Sequence, residues 1–210
     1  ATNPFWLSKA RPVPVIEAAI NGEGPFKFIL DTGASVTVLD LAFANELGVE
    51  FDGEIQVGDP SGMNRLDART ASLETVALGS ARFERVPVIA FDRSSIPTGG
   101  EDLKGVIGLP LFANVLLTID YPGMQVRIEP GELSEPDGRT VLAYDNVTTP
   151  LPLIEIRVGD RTLQTHLDSG SPMGLKLPGE FETRIPLTGP IVVEGRGRTV
   201  SNEFEIRAAT

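Results

Sequence analysis

The sequence predicts an all-β protein built from two related halves. Its 210 residues include 22 glycines and 17 prolines, which occur throughout the chain rather than in one segment. Apolar residues form short runs separated by turn-forming residues, a pattern typical of short strands joined by turns. The pattern of the first half restarts in the second half, and such a repeat indicates two similar structural units.

The first half is predicted to consist of strands and turns with one short helix. Asn21 and Gly22 favour a hairpin turn. Asp40 is a suitable N-cap for the helix, and Gly48 suits the position after its last turn. The predicted strands are 13–20, 26–30, 36–39, 73–78, 82–91, 116–119 and 125–128, and the predicted helix is 41–47.

The repeat divides the chain into two predicted domains. The first lobe covers 1–130, a polar and turn-rich linker covers 131–149, and the second lobe covers 150–210. Within the second lobe, an apolar strand and a turn again precede an aspartate. This lobe is shorter than the first, so we expect it to be incomplete within this chain.

The composition excludes several classes of function. The chain has no cysteine, which excludes disulfides and thiolate chemistry, and its single histidine argues against a Ser-His-Asp triad and a zinc site. A net charge of −11 argues against nucleic acid as a partner, because phosphate binding needs a basic surface. No apolar stretch approaches the ~20 residues of a membrane-spanning helix, so no membrane span is expected.

The chemistry is predicted to lie in a repeated tripeptide, Asp31-Thr32-Gly33 and Asp168-Ser169-Gly170. Each copy follows an apolar run, so each aspartate comes at the end of a strand. The glycine lets the backbone pass close to a partner, and the Thr or Ser hydroxyl can donate a hydrogen bond across the junction. Two carboxylates that meet face to face cannot both ionise, so the pair shares one proton.

These residues resemble the aspartic proteases of the pepsin and retropepsin clan, and most of all the bacterial two-lobed retropepsin-like enzymes. The resemblance is carried by the segment 31–40, by the triplet at Asp168, and by 105–112, which is similar to the family's apolar-apolar-Gly strand. It implies acid-protease barrel lobes and an endopeptidase that acts on a peptide or protein substrate, without metal or organic cofactor, as a monomer or homodimer.

The resemblance also implies a role for each site residue. Asp31 and Asp168 would activate one water, and Thr32 and Ser169 would lock the two turns together. Gly33 and Gly170 would accept the substrate backbone at close range. Further support is expected from Ser35, Ser171 and Gly108, and a flap over 56–69 would contact substrate through Ser61, Gly62 and Met63.

Two features depart from the family pattern. Pepsin-like enzymes carry a flap tyrosine, whereas the tyrosines of this chain are Tyr121 and Tyr144, both outside the predicted flap. The second lobe also lacks a second apolar-apolar-Gly strand, and its flap counterpart would be 194–198. These departures motivate two alternatives: a non-catalytic module that binds peptides, and a homodimer that uses Asp31 from each of two chains. A glycosidase is disfavoured, because it would not need the repeated turns.

The remaining polar and aromatic residues of interest are assigned structural roles. Ala34 provides no hydroxyl to the first carboxylate, so we expect a less acidic pH optimum than that of pepsin. We expect Asp40, Asp67 and Asp102 to be helix caps or turn residues, and His166 to be structural or partly exposed. Phe5 and Trp6 are expected to cover an edge of the core.

Overall fold

Strands dominate the computed structural model, which describes residues 1–58, 65–94, 100–137, 141–143, 151–158, 160–172, 192–198 and 203–208. The chain divides into two compact units, Ala1–Gly170 and Ser171–Thr210. The all-β class predicted from the sequence is confirmed. The predicted lobes at 1–130 and 150–210 are defined by the sequence repeat, whereas the two units are defined by compactness. The division into these lobes therefore stays a prediction.

The first unit contains the strands that build the candidate site. They are β1 (Thr2–Pro4), β2 (Trp6–Leu7), β3 (Pro14–Ile20), β4 (Glu23–Asp31), β5 (Thr37–Asp40), β6 (Phe51–Gly58), β7 (Arg65–Leu78), β8 (Ala81–Phe91), β9 (Leu103–Gly108), β10 (Leu116–Asp120), β11 (Gln125–Glu129), β12 (Leu153–Val158) and β13 (Arg161–His166). The helix α1 covers Leu41–Glu46, and a 3-10 helix covers Leu109–Phe112.

Six of these strands close into a barrel in the order β3, β4, β9, β5, β8 and β7, because β3 also pairs with β7. Most neighbours are antiparallel, but β4 with β9 and β5 with β8 are parallel pairs. Since parallel strands end at the same edge of a sheet, Asp31 at the end of β4 lies opposite Gly108 at the end of β9. This edge of the barrel carries the candidate site.

The barrel interior is filled by apolar side chains from alternating strand positions. Phe28, Leu30, Leu39, Leu73 and Ile107 are almost fully buried. The alternation arises because successive side chains of a strand point to opposite faces. Burying such a side chain contributes roughly 1.5–3 kcal/mol, so the barrel is a rigid support for the turns at its edge.

Helix α1 is capped as the sequence predicts. The Asp40 carboxylate accepts a hydrogen bond from the Phe43 backbone N–H at 3.1 Å, which satisfies one of the free donors of the first turn. The helix ends at Glu46, and Gly48 adopts the left-handed φ of +64° that ends many helices. Phe43 on the inner face packs edge-on against Phe26 and Phe28.

Two smaller sheets accompany the barrel in the first unit. In one, the N-terminal strand β1, which the sequence pattern did not predict, pairs with β11, and β11 pairs with β10. In the other, β12 and β13 form the hairpin that the repeat predicts before Asp168, and they pair from Leu153 opposite His166 to Val158 opposite Arg161. This hairpin leads directly into Asp168.

The predicted flap begins as a hairpin of β6 with β7, which pair from Phe51 opposite Ala71 to Gly58 opposite Arg65. Its tip, with Ser61, Gly62 and Met63, lies outside the described residues. In the second unit, β14 (Val192–Arg198) pairs with β15 (Glu203–Ala208), and β14 contains the predicted flap counterpart. In the part of the chain that the structure describes, no helix has the length and apolarity to cross a membrane.

Candidate active site

The two Asp-(Ser/Thr)-Gly turns lie against each other at the edge of the barrel. Asp31 is the last residue of β4, and Asp168 follows two residues after β13 ends at His166. Both turns have the same internal structure, since the first carboxylate oxygen of Asp31 accepts from the Gly33 N–H at 2.8 Å, and that of Asp168 accepts from the Gly170 N–H at 2.8 Å. The sequence repeat is therefore a repeat of local structure.

The hydroxyl groups of Thr32 and Ser169 join the two turns reciprocally. The Thr32 hydroxyl donates to the Leu167 carbonyl at 2.6 Å and accepts from the Ser169 N–H at 2.9 Å. In the opposite direction, the Ser169 hydroxyl donates to the Leu30 carbonyl at 2.8 Å and accepts from the Thr32 N–H at 3.0 Å. Each hydroxyl thus uses both its donor and an acceptor position on the opposing turn.

The glycine of each turn faces the carboxyl group of the other. A Cβ atom placed on Gly33 would lie 2.5–2.9 Å from the carboxyl atoms of Asp168, well inside van der Waals contact. A Cβ atom on Gly170 would come closer still to the carboxyl group of Asp31. Glycine is required at both positions because a larger residue would push the two turns apart.

The surroundings of Asp31 favour its protonated form. Burial is the largest cause, followed by the negative charge of Asp168 and a hydrogen bond between the two side chains; together they raise the pKa of Asp31 from 3.8 to about 6. Hydrogen bonds from the backbone N–H groups of Gly33 and Gly170 act in the opposite direction. Because the two groups interact, this proton belongs to the pair. At pH values up to about 6 the two carboxyl groups can therefore share one proton.

The apolar-apolar-Gly strand β9 lies beneath the first turn. The Gly108 N–H donates to the Thr37 hydroxyl at 3.2 Å, and the Leu109 N–H donates to the Ala34 carbonyl at 3.2 Å. A Cβ atom on Gly108 would lie 2.6 Å from the Val36 carbonyl oxygen, so glycine allows this close packing. Strand β9 then continues into the 3-10 helix at Leu109.

The other predicted residues are found in the following places. Ser35 lines a groove beside the first turn, and Ser171 follows the second turn at a half-buried position. His166 is exposed and Phe5 is buried in the core, as predicted, while Trp6 is half-buried. Each of the three predicted structural aspartates has a local partner: Asp40 accepts from the Phe43 N–H, Asp67 accepts from the Gln56 side chain at 3.1 Å, and Asp102 pairs with Lys104 at 2.8 Å.

Tyr121, which no sequence signal assigned to the site, is close enough to it to feel the charge of Asp168. It lies after β10, and its ring packs edge-on against Phe5 with 5.5 Å between ring centroids. Burial raises the pKa of the Tyr121 phenol, and the negative charge of Asp168 adds to this effect. Its proximity depends on the pairing of β1 with β11, which leaves no local signal in the sequence.

Comparison with known proteins finds a family model that matches part of the chain. Residues 16–111, a little under half of the chain, match a family model described as aspartyl protease. This match confirms the predicted resemblance to aspartyl proteases, and it supports protease activity in general terms. The match extends from strand β3 into the 3-10 helix, and thus includes the first turn and its supporting strand.

Among solved structures, the chain is similar to a retropepsin-like aspartic protease from Rickettsia conorii. The two share 20% sequence identity with a TM-score of 0.43, over 62% of this chain and 91% of the other. A search of curated proteins finds no match.

Proposed function

We propose that this protein is an aspartic endopeptidase in which Asp31 and Asp168 of one chain form the catalytic pair. The observation that carries the proposal is the reciprocal contact of the two turns, in which each glycine faces the opposite carboxyl group and each hydroxyl binds the opposite backbone. Such an arrangement favours a pair within one chain over a homodimer that uses Asp31 twice.

The different surroundings of the two carboxyl groups suggest their roles. Asp31, whose pKa is raised, would hold the shared proton and donate a hydrogen bond to the carbonyl oxygen of the scissile peptide. Asp168 would accept a proton from the attacking water, whose oxygen forms a bond to the carbonyl carbon. When the C–N bond of the tetrahedral intermediate breaks, a proton passes to the leaving amine and one carboxylate is restored.

The substrate would be an extended peptide held beneath the flap hairpin. An extended strand presents its backbone N–H and carbonyl groups to a neighbouring strand, and side-chain pockets then determine specificity. Gly33 and Gly170 would let this backbone approach the carboxyl groups, and Ser61, Gly62 and Met63 would contact it from the flap. No metal or organic cofactor takes part in this mechanism.

The proposal is tested by cleavage of an unfolded protein between acid and neutral pH. We expect Asp31→Asn and Asp168→Asn each to abolish cleavage, while the control Asp102→Asn, which changes an exposed aspartate paired with Lys104, retains it. Because the pair holds one proton up to a pH near 6, activity should decline above that value and should not peak below pH 3.

Each alternative gives a different result in this experiment. Cleavage retained by Asp168→Asn would contradict a pair within one chain and would support two chains that each supply Asp31. Absence of cleavage by the unmodified protein at every pH, together with measurable peptide binding, would support a non-catalytic peptide-binding module.

A further inference from the structure

We propose that a groove beside the Asp31 turn binds an acidic side chain of the peptide substrate, close to the cleaved bond. This inference rests on the proposed function and names a substrate class for it. The groove has a volume of about 460 Å³ and is lined by 35–37 after the first turn, by 82–87 of β8, and by the 3-10 helix with Asn114. Neither carboxyl group lines this groove, but its residues 35–37 directly follow the Asp31 turn.

The position of the groove fits a substrate that runs outward from the candidate site. Its nearest lining residue, Ser35, is four residues after Asp31, and this distance along the chain spans at most ~14 Å. An extended peptide advances ~3.3 Å per residue, so a side chain within about four residues of the cleaved bond would come level with the groove.

The charge at the rim of the groove favours an acidic occupant. Arg82 and Arg85 are both exposed there, in a chain whose net charge is −11. Arg82 approaches Glu84 with 3.8 Å between its Nε and a carboxylate oxygen, which partly neutralises it. Within the described part of the chain, Arg85 makes no ion pair with a carboxylate. It is therefore the cation available to a ligand in this groove.

The backbone of Arg85 provides a second, independent observation. Its φ is +51°, in the left-handed region that a long side chain rarely adopts. The residue pairs on either side of Arg85 in β7 and β8 keep a regular register, with Leu73 opposite Val86 and Thr75 opposite Glu84. Glu74 and Arg85 themselves do not form a ladder pair. Strained backbone of this kind is concentrated at ligand clamps and functional loops. The strain here falls on the residue that brings a free cation to the groove.

The test is a profile of cleavage sites in a library of unfolded proteins. The unmodified protein should cleave sequences with Asp or Glu within about four residues of the bond about two- to fivefold more efficiently than their Asn or Gln counterparts, the size expected for an exposed ion pair. The preference should fall at high salt, because surface charges are screened.

Three variants separate charge from backbone effects. Arg85→Asn removes the cation and tolerates the left-handed conformation, so it should abolish the preference. Arg85→Lys keeps the cation and should keep the preference. The control Arg127→Asn removes an exposed arginine of β11 that does not line the groove, and it should have no effect. An equal acidic preference in the unmodified protein and in Arg85→Asn, or no preference in either, would overturn the inference.

A binding measurement distinguishes this inference from the proposed function. Peptide pools that differ only by Glu or Gln at one position are titrated against the Asp31→Asn variant, where we expect two- to fivefold tighter binding of the Glu pool and no difference after the further change Arg85→Asn. Absence of cleavage with this binding difference would refute the endopeptidase and retain the groove. Cleavage without the binding difference would refute the groove alone.

Discussion

Replacement of Thr32 by valine tests whether the hydroxyl bonds hold the two turns together. Valine has nearly the shape of threonine but cannot donate to the Leu167 carbonyl or accept from the Ser169 N–H. Thr32 is only 8% exposed, so both backbone groups lose a partner at a partly buried junction. A hydrogen bond contributes about 0.5–1.5 kcal/mol and an unsatisfied buried group costs about 1–3 kcal/mol. We therefore expect Thr32→Val to destabilise the junction by about 2–4 kcal/mol.

The assay is urea unfolding at neutral pH combined with hydrogen exchange of the Ser169 amide. Because each 1.4 kcal/mol is a factor of ten, the amide should exchange at least about thirtyfold faster in Thr32→Val. Thr32→Ser keeps the hydroxyl and removes one methyl group, so its cost should stay near ~0.8 kcal/mol. In the double variant with Ser169→Ala, the two effects should be coupled by about 0.5–3 kcal/mol, because the residues share one network.

Any of three results would contradict the role assigned to these hydroxyl groups. One is a Thr32→Val protein with unchanged stability and unchanged exchange of the Ser169 amide. Another is a cost no larger than that of Thr32→Ser, which would assign the effect to packing of the methyl group. The third is strict additivity of Thr32→Val and Ser169→Ala, which would mean that the two hydroxyl groups act independently.

Three further substitutions have expected outcomes. Gly170→Ala places a methyl group against the carboxyl group of Asp31, so it should abolish cleavage in the peptidase assay while the circular dichroism of the barrel is retained. Asp31→Asn should raise the free energy of unfolding at pH 7 by up to about 3 kcal/mol and have little effect near pH 4, as checked by urea titration at both values. The native pKa of about 6 lies above the ordinary value of 3.8. The protonated carboxyl group therefore contributes stability that is fully present below pH 3.8, and this contribution is lost as the pH rises through 6. Asp40→Ala removes the helix cap and should cost about 1 kcal/mol in thermal unfolding, whereas Asp102→Ala at the surface should cost under about 0.5 kcal/mol.

Local features of the fold could be predicted because their causes are local. Asp40 and Gly48 mark the ends of α1 through capping and a left-handed φ, and the structure has both. The hairpins around 121–124 and 159–160 likewise follow from turn residues between apolar runs. The repeated tripeptide indicated two equivalent turns, and their internal hydrogen bonds are the same.

Other features depend on contacts between distant segments and leave no local pattern. The pairing of β3 with β7, which closes the barrel, joins strands far apart in the sequence. Strand β1 has only three residues and forms by pairing with β11, which no periodicity could indicate. Arg93 would be assigned to the surface by its type, yet it is 6% exposed; burial lowers its pKa, and the charge of Asp40 opposes that change.

The two halves of the candidate site are made at different times during translation. Thr32 and Ser169 are 137 residues apart, and a ribosome adds roughly 5–20 residues per second. For several seconds, a nascent chain therefore carries Asp31 with neither an opposing carboxyl group nor the hydroxyl that anchors its turn. Under the proposed mechanism, such an unfinished polypeptide has no partner for its single carboxylate. Peptide hydrolysis would then begin only after synthesis has passed Gly170.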